Sequence, residues 1–125
     1  MEGKKKEKVF VVSKEDTALV VGSGTLEVLA TPRLVAMMEN VAMNVVQDEL
    51  EAGSTTVGTN ININHIAATS VGSNVRITAI VTKVNGRRIE YKLSAYDDMK
   101  KIAEGTHERY IVDVARFLSK IQSNI

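Results

Sequence analysis

Apolar and polar residues recur along this chain with two periods, one of two residues and one of a helical turn. In residues 57–72, read as VGTNININHIAATSVG, Thr59, Ile61, Ile63 and His65 share one parity, and Asn60, Asn62 and Asn64 share the other. This alternation predicts a strand over 55–66 with one face on the core, and it sets His65 at the inner end of that face. Residues 67–72 break the pattern and turn the chain.

Three further β-type runs follow. Val75, Ile77, Ala79 and Val81 define a strand over 75–84, and Asn85-Gly86 predicts a type I′ hairpin. Ile89, Tyr91, Leu93 and Ala95 alternate with charged and polar residues over 87–96. After a polar turn at 97–100, a last strand spans 101–112, and 114–121 suits a terminal helical turn. Near the start, 9–12 and Ala18–Val21 are short β-type runs, read as an interrupted opening strand or a small hairpin.

Helical periodicity occupies 31–50. Thr31 is read as the N-cap, Pro32 as the first helical residue and Gly53 as the stop. Arg33, Asn40, Asn44, Gln47 and Asp48 form the solvated side, and the broad apolar remainder suits a helix wrapped by a sheet. The expected fold class is therefore α+β, with one long helix against an antiparallel meander. The 125 residues show no repeat or linker, so one domain over 1–125 is expected, with 1–8 fraying in solvent.

Composition narrows the chemistry. No cysteine is present, which excludes thiolate chemistry, and two histidines give little basis for a metal site. A net charge of +1 without a basic, aromatic-rich stripe argues against nucleic acid. No apolar run is long enough to cross a bilayer and no signal-peptide core is visible, so a soluble cytoplasmic protein is expected. Gly22-Ser23-Gly24 matches neither GxGxxG nor a P-loop and reads as a turn.

Glu39 breaks the helical pattern. Its helical neighbours Val35, Ala36, Ala42, Met43 and Val46 are all apolar, and an unpaired carboxylate among them would cost several kcal/mol of desolvation. It is either half of a structural ion pair or a group kept for chemistry. Thr31, Glu39 and His65 together supply a hydroxyl, a carboxylate and an imidazole, which suffice for acyl transfer to water. A glycine such as Gly58 lets a backbone N–H approach a carbonyl oxygen as an oxyanion donor.

The segments TPRLVAMMENVA, VGTNININHIAATSVG, NGRRIEYKLSAYD and EGTHERYIVD resemble the hotdog-fold thioesterases, specifically the fluoroacetyl-CoA thioesterase-like family. The resemblance spans about residues 18–117 and is most specific in HIAATSVG and EGTHER. It places the family's catalytic threonine, glutamate and histidine on Thr31, Glu39 and His65, and its substrate-contacting glycine and arginine on Gly58 and Arg109. It implies an acyl-CoA thioesterase acting without metal or cofactor other than the coenzyme A of its substrate. It also implies a homodimer or dimer of dimers with the site at the subunit interface. The competing reading is a non-catalytic acyl-CoA-binding or regulatory hotdog module. Fluoroacetyl-selective members carry phenylalanines in the lid before the helix, whereas residues 19–30 contain no aromatic, which points to an ordinary short or medium acyl-CoA.

Overall fold

The fold is built around one helix. In the computed structural model, which describes residues 1–123, helix α2 (Thr31–Val46) buries Leu34, Met37, Met38, Val41, Ala42, Val45 and Val46. Those positions recur at three- and four-residue intervals, so they form a single stripe down the helix. The stripe packs on Ile77, Ala79 and Val81, then Ile89, Tyr91, Leu93 and Ala95, then Ile102 and Ala103. Each large side chain so buried contributes about 1.5–3 kcal/mol.

The sheet that receives it is antiparallel throughout. Its strands are β1 (Lys5–Val11), β2 (Ser54–His65), β3 (Asn74–Asn85), β4 (Arg88–Tyr96) and β5 (Lys101–Asp113), in the spatial order β1-β3-β4-β5-β2. Helix α3 (Val114–Ser123) follows the last strand. The α+β expectation and the four later strands hold. β2 pairs with β5 alone, so its other edge is unpaired among the described residues.

Several local expectations are corrected. The basic N-terminus is tied down: Lys5–Val11 pair with Asn74–Ile80 of β3, and Lys4 Nζ lies 2.8 Å from Asp48 and 3.0 Å from Glu49. Ala18–Val21 is a short helix, α1, because the Thr17 side chain accepts from Val20 N–H and Gly22 (φ 88°) supplies the left-handed stop. The long helix ends at Val46, and a 3₁₀ turn over Gln47–Glu49 carries the chain towards Gly53. Its N-cap is Ala30, with Pro32 inside the first turn, so the Thr31 hydroxyl is not a cap. The β3–β4 hairpin closes on Gly86-Arg87, and the only positive φ there is that of Gly86 (63°). Glycine alone in the left-handed region fits type II′ rather than I′.

A β-bulge between Gly58 and Asn60 has the widest consequences. Thr59 is the extra residue, is exposed, and donates its hydroxyl to the Glu108 carbonyl rather than joining the core face. The extra residue reverses parity along β2. Thr56 and Gly58 before it therefore share the inner face with Ile61, Ile63 and His65 after it.

Candidate functional site

The predicted site residues form two groups on the inner face. At the start of α2, Thr31 Oγ1 lies 2.7 Å from His65 Nδ1. Because Ala30 is the cap position, this hydroxyl is left for the imidazole. Both residues line an open cavity of about 370 Å³ with Leu29, Pro32 and Ala67. Its remaining wall is aliphatic or small, and α1 beside it leaves Leu19, Val20 and Val21 exposed. A larger hollow of about 580 Å³ around Arg76 and Lys101 shares none of the candidate residues.

Burial lowers the His65 pKa, partly offset by the Ala67 backbone, so the ring favours its neutral form. Among the described residues, neither its buried Nε2 nor the buried Tyr91 hydroxyl has a hydrogen-bond partner.

The second group surrounds Glu39. Its Oε2 lies 3.9 Å from Arg109 Nη1, and a Cβ on Gly58 would come within 2.9 Å of the same oxygen. Only glycine leaves that oxygen its room. The Arg109 side chain is buried and donates from Nε to Thr56 Oγ1 at 2.8 Å and from Nη2 to the Thr56 carbonyl at 3.0 Å. His107 faces the same point through its Nε2, 3.3 Å from Arg109 Nη1. Composition alone passed over His107, although its same-parity spacing from Arg109 on a strand was the available signal.

Glu39 is less enclosed than its helical neighbours suggest. Its side chain is 38% exposed; Ala42 and Val46 are buried, Val35 and Met43 half-buried, and Ala36 exposed. The sheet covers one side of α2 and leaves the Val35–Met43 side open. Eight residues of helix separate Thr31 from Glu39, a rise of roughly 12 Å, and no hydrogen bond or ion pair joins Glu39 to Thr31 or His65 among the described residues. The structure thus brings Thr31 to His65, and Glu39 to Gly58 and Arg109, but does not join the two groups within one chain.

Among the described residues no three or more His, Cys, Asp or Glu side chains are grouped to hold a metal ion, and no helix is long and apolar enough to cross a membrane.

One long helix against this antiparallel sheet is the hotdog architecture. The chain superposes on a hot-dog-like protein from Thermanaerovibrio acidaminovorans with a TM-score of 0.91, at 23% identity, covering 99% of this chain and 92% of that one. It superposes on the fluoroacetyl-CoA thioesterase FlK with a TM-score of 0.95, at 31% identity, covering 100% and 97% of the two chains. In sequence, the fluoroacetyl-CoA thioesterase of Streptantibioticus cattleyicolor is 38% identical over 96 residues, 77% of this chain and 69% of that protein. The description of the fluoroacetyl-CoA-specific thioesterase family matches residues 12–115. The chain belongs to this family and is a thioester hydrolase.

Proposed function

We propose that this protein hydrolyses a short or medium acyl-CoA to the free acid and CoA, in the cytoplasm, as a single-domain homodimer or dimer of dimers. The observation that carries the reading is the separation of the Thr31–His65 pair from the Glu39–Gly58–Arg109 group on one protomer. Each holds half of an acyl-transfer apparatus. A two-fold axis beside α2 would set the Glu39 of one protomer against the Thr31–His65 pair of its partner. The unpaired edge of β2 and the open Val35–Met43 side of α2 supply surfaces for that contact.

In such a site Glu39 attacks the thioester carbonyl or takes the proton of the attacking water. The Gly58 N–H and the Arg109 guanidinium stabilise the oxyanion, the largest single term in reactions of this kind. The neutral His65 ring, oriented by Thr31, shuttles the proton that the departing thiolate requires. Water is the only co-substrate, and coenzyme A enters as part of the substrate, so the proposed reaction calls for no other cofactor. The aliphatic cavity wall beside Thr31 suits a small unbranched acyl group.

Complementation tests the arrangement. Glu39→Gln and His65→Asn should each be nearly inactive, but co-refolded together they should recover about a quarter of wild-type thiol release, since half the dimers carry one intact site. No recovery, or a monomer at micromolar concentration by light scattering, would overturn it. A panel of acyl-CoAs assayed for free thiol identifies the acyl group.

A further inference from the structure

His107 has no part in the reaction proposed above, yet it is 3% exposed and packed into the same group of side chains. Its Nδ1 lies 2.7 Å from the Asn60 carbonyl oxygen, and its ring stacks on Tyr91 with centroids 5.7 Å apart. The Asn60 carbonyl can only accept, so Nδ1 carries the proton. Arg109 can only donate, so Nε2 presents its lone pair to Nη1. Its partners therefore fix the tautomer of His107.

From this geometry we infer that His107 is a positioning residue for the thioesterase site: a neutral imidazole that accepts from Arg109 Nη1 and aims the guanidinium at Glu39 and the thioester carbonyl. The inference rests on the proposed roles of Arg109 and Glu39. Thr56 fixes Nε and Nη2, whereas Nη1, 3.9 Å from Glu39 Oε2, has His107 as its one hydrogen-bond partner among the described residues. Charging the ring would replace an acceptor with a second cation beside Arg109. The neighbouring charges are Arg109 on one side and Glu39 and Glu108 on the other. Burial, the largest influence, and Arg109 both oppose protonation, while the Asn60 carbonyl and the two glutamates only partly offset them. A 1 Å misplacement of a group that meets the reacting carbonyl can cost roughly 10²-fold in rate.

Two measurements test this, and the first needs no variant. Long-range ¹H–¹⁵N spectra of the wild-type imidazoles should show His107 as the Nδ1–H tautomer, still neutral where free histidine is half-charged, near pH 6.5. A charged ring, or the Nε2–H tautomer, would overturn the inference. Second, His107→Phe keeps the ring and its stacking but offers no acceptor, whereas His107→Gln restores one. The Phe variant should lose roughly 10²-fold in kcat with little change in KM, and the Gln variant should stay within about tenfold of wild type. Glu39→Gln is assayed alongside. If it keeps full activity, the proposed function fails. If it is inactive while folded His107→Phe turns over normally, the inference about His107 fails.

Discussion

Thr31 Oγ1 and His65 Nδ1 approach to 2.7 Å across 34 residues of sequence, joining the first turn of α2 to the inner end of β2. The hydroxyl is free to do so because Ala30 holds the cap position. Thr31→Val should therefore lower kcat by roughly 10²-fold, the lower end of the range for disturbing a proton-transfer group, while Thr31→Ser keeps most activity. The stability change in Thr31→Val should be no more than about 1 kcal/mol, the net worth of one hydrogen bond. Full turnover by the folded valine variant would remove Thr31 from the site.

Glu39→Gln keeps the shape of the side chain and removes its charge. It should cut kcat by roughly 10²-fold or more and leave the melting temperature nearly unchanged, because the carboxylate is over a third exposed and its Arg109 contact is long. If the pair with Arg109 were structural, the melting temperature would fall and the folded fraction would keep its turnover. Both quantities are read on one purified sample.

Gly58→Ala places a methyl 2.9 Å from Glu39 Oε2 and 3.4 Å from Arg109 Nη1. The Glu39 tip can swing aside, so folding should survive. Displacing the carboxylate should nevertheless cost roughly 10²-fold in kcat. A wild-type kcat in Gly58→Ala would show that this oxygen has no fixed position in catalysis.

Apart from Thr31 and His65 themselves, the described residues lining their cavity are aliphatic or small, with no Phe, Tyr or Trp among them. Acetyl-CoA and fluoroacetyl-CoA should therefore be hydrolysed with kcat/KM values that differ little. A single small packing contact discriminates by only ~1–3 kcal/mol. A preference of many thousandfold for the fluorinated substrate would refute the lid argument.

Burial holds both His65 and His107 below the ordinary imidazole pKa; at His107 the Arg109 charge acts in the same direction. The unfolded chain thus takes up protons first as pH falls. Stability should be full above about pH 6.5 and decline below it, through the lowered folded-state values. Thermal melts between pH 8 and pH 5 should show this slope, and it should be shallower in His107→Gln. An equal slope in that variant would mean that His107 is not the group being charged.

Period-2 alternation was enough to locate β2, β3 and β4 and to put Ile61, Ile63 and His65 on one face, and the polar turn at 97–100 marked where β5 begins. Helical spacing was enough to find α2 and its buried stripe, since each pattern reports directly which side of an element avoids water. The resemblance of the local motifs pointed to the family and to five residues, but not to how those residues meet.

Tertiary structure decided the rest. Parity counted along 57–65 separates Gly58 from His65, and only the extra residue Thr59, opposed by nothing on β5, returns Gly58 to the inner face beneath Glu39. The apolar run Ala18–Val21 reads as a strand, yet it is helical because Thr17 caps it and Gly22 ends it. Lys5–Lys8 look like a solvated tail, but the free edge of β3 offers their backbone hydrogen bonds that no side-chain pattern records. Glu39 is surrounded by apolar neighbours along its helix, yet its exposure was set by the sheet, which covers one side of α2 and leaves the other open. A periodic pattern states which faces prefer burial; which face is covered, and by what, depends on packing between residues far apart in the chain.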